Sequence, residues 1–206
     1  MVPKFLGGWG LKNIFLFAKA LATKGGWRLI HLESIWMQVI IHKYLAPKMV
    51  EEWIRNPKKT HAGGSVIWKA VVKSFNLIGP NLAWNVGNGR CVWIGVDPWV
   101  GCTQKHILPA HTVASLRERN IIYLHQLAIL GLQDIWVRSW RQASFLDLDE
   151  QDGGELACYI GELNRSLLQL RDREDELIWD VDPCGRYTPK SGYLKLSADG
   201  ILREPV

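Results

Sequence analysis

Apolar positions in the first third of the chain recur at helical spacing. Ile14, Phe17, Ala18, Leu21 and Ala22 fall on one side of a predicted helix, and Asn13 stands where its N-cap belongs. The pattern extends to Ile30, with a break at Gly25-Gly26 as the competing reading, because interior glycines cost about 1 kcal/mol each relative to alanine. Ser34 caps a second predicted helix that turns Ile35, Val39 and Ile40 inward, with Trp36 as a further inward candidate, and ends before Pro47. From Lys48 to Gly64 the period lapses, and Pro57-Lys58-Lys59 and His61-Ala62-Gly63-Gly64 mark a loop. Ser65 opens a third helix carrying Val66, Ile67, Trp68, Val71, Val72 and Phe75, which stops before Pro80. Lys69 and Lys73 lie one turn apart on its polar side.

The period then changes to two. Leu82, Trp84 and Val86 alternate with polar or small residues, Gly87-Asn88-Gly89 interrupts, and Cys91, Trp93 and Gly95 alternate with Val92 and Ile94, the pattern of a β-hairpin. Asp97-Pro98-Trp99 closes it with a turn. A surface loop is expected up to Thr112, short helices from Val113 to Ala143, and an acidic linker from Asp147 to Gly154. Leu156, Ile160, Leu163 and Leu167 mark a further helix. Leu177 to Val181 and Arg186 to Thr188 read as strands around an Asp182-Pro183-Cys184-Gly185 turn, and Thr188-Pro189 as the cap and first position of a terminal helix. The fold class expected is α+β, mainly helical, with two small β-hairpins around Gly87–Gly89 and Asp182–Gly185.

Composition adds two features. With 206 residues, 48% hydrophobic and 22% charged, the chain has the make-up of a folded globular protein, but its 11 tryptophans are several times the usual share. Charge is uneven: residues 1–110 hold 14 Lys/Arg against 4 Asp/Glu, a net +10, and residues 111–206 hold 11 against 16, a net −5. Two regions are therefore expected, a basic one over 1–110 and an acidic one over 111–206, and the basic one fits contact with a polyanion. Cys91, Cys102, Cys158 and Cys184 show no paired spacing and are expected as reduced thiols. Neither a signal peptide nor a membrane anchor is read from the N-terminal apolar stretch, and the expected setting is soluble and intracellular.

Several spots carry candidate chemistry. Asp147, Asp149 and Asp152 resemble a cation loop, but the sixth position, where a calcium loop needs glycine, is Asp152, so the expectation is a solvated linker. Cys102, His106 and His111 have ligand chemistry without a fourth partner, and no metal site or cofactor is expected. Gly87-Asn88-Gly89-Arg90 is read as a hairpin turn rather than a phosphate cradle, because a strand and not a helix follows it. Basic residues interleaved with aromatics supply charges for phosphates and faces for stacking. The candidate nucleic-acid contacts are Lys4, Lys12, Arg28, Lys43, Lys69, Lys73 and Arg90. No nucleophile–base pair is recognisable, and no catalytic residue is expected.

Taken in order, the blocks VPKFLGGWGLKNIFLFAKALATKGGWRL, SIWMQVIIHKYL, SVIWKAVVKSF, LAWNVGNGRCVWIGVDPWVG and ELIWDVDPCGRYTPKSGYLKL resemble the region after the polymerase domain of plant non-LTR (LINE-type) retrotransposon reverse transcriptases. The resemblance covers most of the chain and is weakest from Cys102 to Arg173. It implies a connector between the polymerase and a C-terminal zinc-binding segment, reached here through Lys190, Ser191 and Tyr193. The polymerase's Asp-Asp motif is absent from the sequence, so the chain is expected to be noncatalytic, with RNA or DNA as partner and the polymerase domain as a former intramolecular one. The resemblance also implies a nuclear location. The rival expectation is a degenerate retroelement remnant without selected activity, whose exposed apolar surface once met the polymerase.

Overall fold

The computed structural model describes residues 13–31, 34–56, 64–103, 106–129 and 140–201. The expected Gly7-Gly8-Trp9-Gly10 turn, residues 57–63 of the expected loop, and Lys4 and Lys12 lie outside them. The mainly helical α+β class holds, with seven helices and one two-stranded antiparallel sheet among the described residues. The chain forms two compact units, Met1–Leu82 with Trp179–Val206, and Ala83–Ile178. This division differs from the expected one at residue 110, because the C-terminal helix returns to the N-terminal one, and composition does not record a contact so distant in sequence.

In the first unit, α1 (Ile14–Ile30) is capped by Asn13, whose side-chain oxygen accepts from the amides of Phe15 and Leu16 at 3.0 and 3.3 Å. It runs unbroken through Gly25-Gly26 and packs against α4 (Val66–Ile78) and α7 (Pro189–Ile201). Its buried positions are Ala20, Thr23, Gly26, Trp27 and Leu29. A methyl group on Gly26 would sit 3.0 Å from Ile78 Cδ1 and 3.2 Å from Ser74 Cβ, so close approach to α4 offsets the helix cost of this glycine. The expected inward face is reversed: Ile14, Ala18, Leu21 and Ala22 point to solvent.

In α2 (Ile35–Tyr44) Ile40 is buried as expected, together with Met37, while Ile35, Trp36 and Val39 are 80%, 55% and 49% exposed, against expectation. Its end before Pro47 and its Ser34 cap, accepting from the Met37 amide at 3.4 Å, are as expected. The expected loop contains a short helix, α3 (Val50–Ile54), anchored by buried Val50 and Trp53. Ser65 caps α4 by accepting from the Trp68 amide at 3.2 Å, and the helix buries Trp68, Val71, Phe75, Leu77 and Ile78 before a 3-10 turn at Gly79–Asn81. Val66 and Ile67 lie on its exposed side, against expectation.

The terminal block folds as a joint. Thr188 Oγ1 accepts from the Ser191 amide at 3.0 Å and Ser191 Oγ accepts from the Thr188 amide at 3.1 Å, a reciprocal cap ahead of Pro189. Tyr187 is buried edge-on against Trp179, with centroids 5.0 Å apart, and its hydroxyl donates to Ala20 O at 2.7 Å. Burial pushes the Tyr187 phenol up to about 12. Tyr193 Oη accepts from the amide of Asn13 at 3.0 Å, which ties α7 to the start of α1. The Asp182–Gly185 turn is present, with Trp179 donating to Gly185 O at 2.8 Å, but residues 186–188 form no strand because Tyr187 is committed to α1 and Thr188 to the cap.

The second unit is organised around β1 (Leu82–Asn85). It pairs with β2 (Glu176–Trp179) rather than with residues 91–95, which corrects the expected hairpin. Its other edge meets the Asp97-Pro98-Trp99 turn, where Trp84 donates to Pro98 O at 2.8 Å and accepts from the Val100 amide at 3.0 Å. With both edges occupied, residues 92–94 turn to the 122–124 segment, through Leu124 N to Val92 O at 2.9 Å and Ile94 N to Ile122 O at 3.0 Å. Helix α5 (Ala110–Glu118) starts slightly inside the expected loop, and a 3-10 turn follows at Leu124–Leu127.

The expected acidic linker is instead the start of α6 (Glu150–Arg165): Asp149 caps it by accepting from the Asp152 amide at 2.7 Å, and acidic residues suit a helix N-terminus. Leu156, Ile160 and Leu163 are buried as expected, whereas Leu167 lies beyond the helix at φ 52° and is exposed. No helix of the described residues is long and apolar enough to cross a membrane.

A methyl group at Gly192 would stand 2.6 Å from Tyr187 Cζ, while one at Gly153 in α6 would meet nothing within 4 Å. Gly192→Ala is therefore expected to cost about 1–3 kcal/mol in a denaturant melt by displacing the buried ring. Gly153→Ala, measured the same way, is expected to gain up to about 1 kcal/mol from helix propensity.

Candidate nucleic-acid interface

Of the seven candidate contacts, four lie in the described part of the first unit. Arg28 is exposed on α1, Lys43 on α2, and Lys69 and Lys73 on α4. An aromatic cluster positions two of them. Tyr44 stacks on Trp68 with centroids 4.9 Å apart and planes 9° from parallel; Trp68 meets Trp53 at 5.3 Å, and Trp53 meets Phe75 edge-on at 4.8 Å. Lys43 and Lys69 are the chain neighbours of the two stacked rings, so the stack brings the end of α2 to the first turns of α4. The Lys43 ammonium lies 5.4 Å from the centroid of the Tyr44 ring. The hydrogen bond from Ser65, with Lys43 adding to it, holds the Tyr44 phenol below its ordinary value.

The aromatics interleaved with these charges mostly fill the core: Trp27, Trp53, Trp68, Trp84, Trp99, Trp140 and Trp179 are all buried. Trp36 is different. It lies seven residues before Lys43, on the same face of α2, with Val39 between them and all three exposed. Offering Trp36 as a further inward candidate missed it as an exposed ring. The signal in the sequence was its i, i+7 relation to Lys43.

In the second unit, Arg90 is exposed beside the Gly87–Gly89 turn. The amides of Gly87, Gly89 and Cys91 converge on Asp175, donating at 2.7 and 2.9 Å to Oδ1 and at 2.9 Å to Oδ2. The loop is thus an anion nest, but its occupant is a carboxylate of the chain itself. Gly89 has φ +70°, and a methyl group on Gly87 would stand 2.7 Å from the Glu174 carbonyl carbon, so both positions require glycine. The same pairing brings two arginines that the sequence did not single out. Arg171 donates its amide to Gly87 O at 2.7 Å, and Arg173 Nη2 donates to Asn85 Oδ1 at 2.6 Å. Asp172 and Glu174 are exposed beside them and offset their charge.

The other chemistry-bearing residues are engaged locally. Asp152 is buried, accepting from Thr112 Oγ1 at 2.7 Å and Ser115 Oγ at 2.5 Å, with His111 Nδ1 2.7 Å from Oδ1. The Ser115 hydroxyl first, then Thr112 and His111, hold this carboxyl below its ordinary value of 3.8. His111 is thereby committed to Asp152, while His106 Nδ1 lies 3.7 Å from Cys102 Sγ and 2.9 Å from Thr103 O. None of the four cysteines forms a disulfide. Gly95, Val96, Ile107, Leu108 and Val113 line an open groove, apolar except for Arg117 and Glu118 at its rim. The Arg117 guanidinium lies 5.1 Å from the centroid of the Trp93 ring.

The chain is similar to an Arabidopsis thaliana protein named "Putative ribonuclease H protein At1g65750", with 24% identity over 204 residues, or 98% of this chain. It spans 30% of the length of that relative. No protein-family profile matches the chain, and no solved structure matches it either.

Two outcomes are expected from these contacts. Asp175→Ala strands three amides and should lower unfolding stability by at least about 2 kcal/mol in a urea titration, since hydrogen bonds to a charged group are worth about 1.5–3 kcal/mol. Because the folded Asp152 carboxyl is depressed, its stabilisation is present above pH 3.8 and lost as pH falls through the lower folded value. The gap in melting temperature between the natural chain and Asp152→Asn should therefore be widest near neutral pH and shrink below pH 3.8.

Proposed function

We propose that the chain is the noncatalytic connector that follows the polymerase in a plant non-LTR retrotransposon reverse transcriptase, and that it contacts RNA or DNA through its first unit. The observation that carries this reading is the charge of three helices. α1, α2 and α4 hold Lys19, Lys24, Arg28, Lys43, Lys69 and Lys73 and no Asp or Glu, and α2 adds the exposed Trp36 ring. Cations for phosphates beside an aromatic face are the ingredients of single-strand binding. The sequence blocks support the retroelement assignment. So does similarity to a plant protein named for ribonuclease H.

A second reading, a retroelement remnant with no selected activity, is favoured by one observation: Ile14, Phe15, Ile35 and Val66 are each at least 70% exposed. Fluorescence anisotropy with single-stranded RNA, an RNA–DNA hybrid and duplex DNA across a salt series separates the two. Binding is expected to weaken steeply with salt, and Lys69→Ala and Lys73→Ala should each lower the logarithmic slope on single strands by about 0.7. A chain that melts cooperatively but binds none of the three at low ionic strength would sink the connector reading and leave the remnant.

A further inference from the structure

The longest apolar row on α1 is outside the core. At about 100° per residue, Ile14, Ala18, Leu21 and Ala22 occupy the arc opposite Ala20, Thr23 and Trp27, with Phe15 at its edge. Ile14 and Phe15 are 71% and 82% exposed and Leu21 49%, with Ala18 and Ala22 also open to solvent. Lys19 flanks the row on one side and Lys24 and Arg28 on the other, and α1 holds no carboxylate. The row therefore offers apolar area between two cationic margins.

Its shape narrows the occupant. Spacing of i, i+4, i+7 and i+8 is that of a face that receives another helix. Ala18 and Ala22 leave a notch between Ile14 and Leu21, where a ridge of side chains can approach the α1 backbone. A nucleic-acid strand would need a series of planar rings to stack on, and the face offers one, Phe15 at its edge, beside four aliphatic residues. The margins select charge: carboxylates on both sides of an apolar ridge would meet Lys19 and Lys24, whereas a basic helix would be repelled. We propose that the outer face of α1 docks an acidic amphipathic helix of a partner protein, which would compete with phosphate for Lys19, Lys24 and Arg28 and leave Lys43, Lys69 and Lys73 of α2 and α4 to nucleic acid.

The probe is a fluorescein-labelled peptide of about 18 residues, with a leucine row flanked by glutamates, beside a counterpart carrying lysine at every glutamate position. Anisotropy with the full chain should show binding of the glutamate peptide at least about tenfold tighter than of the lysine peptide. Leu21→Ser, which removes apolar area, and Ala18→Trp, which fills the notch, should each weaken it by about tenfold or more. Both sites are solvent-facing, and unchanged melting curves would show that the fold survives. Equal binding of the two peptides, or affinity indifferent to both substitutions, would overturn the proposal. Sedimentation showing that the chain closes this face against a second copy, in a dimer that the peptide does not open, would overturn it too.

Discussion

The first unit depends on how closely other helices approach α1. Gly26 lets α4 come within side-chain contact of the α1 backbone, and Tyr187, set into the space left by Gly192, reaches the Ala20 carbonyl with its hydroxyl. Small side chains permit such approach, so the buried face of α1 sets Ala20, Thr23 and Gly26 beside the larger Trp27 and Leu29. The larger apolar residues, Ile14, Phe15 and Leu21, are consequently turned to solvent. One packing constraint thus decides both what holds the unit together and which surface it presents.

This constraint also explains what the sequence made legible. Element ends read well, because caps are local chemistry: Asn13, Ser34, Ser65 and Thr188-Pro189 all act where expected. The inward face of α1 read poorly, since periodicity assigns the largest apolar residues to the core and has no term for a face whose small residues let backbones close. The hairpin around Gly87–Gly89 failed for a different reason. Its amides are taken by Asp175, more than eighty residues away, and both edges of β1 are filled by segments no closer than the Asp97-Pro98-Trp99 turn. Exposed Lys69 and Lys73 were legible from a single amphipathic helix, while Trp36 and the Arg171–Arg173 pair emerge only once the helices and loops are packed.

The central and terminal blocks that carry the resemblance turn out to do structural work. Asp97 accepts from the Trp93 amide at 2.8 Å, Trp99 donates its indole N–H to Ser166, and Gly87 and Gly89 frame Asp175, so the central block is a set of joints. The terminal block likewise fastens α7 to α1 through Tyr187, the Thr188–Ser191 cap and Tyr193. These two blocks therefore act as scaffold. The proposed nucleic-acid contact draws instead on the three N-terminal blocks, which carry the cations of α1, α2 and α4 and the exposed ring of Trp36.

That division between scaffold and working face is tested most directly by photo-cross-linking. The full chain would be irradiated at low salt with single-stranded RNA carrying 4-thiouridine, and the attached peptides identified by mass spectrometry. Cross-links concentrated on α2 and α4, with Trp36 among them, are the predicted result. Cross-links confined to residues 83–178, or none above a high-salt control, would contradict the account.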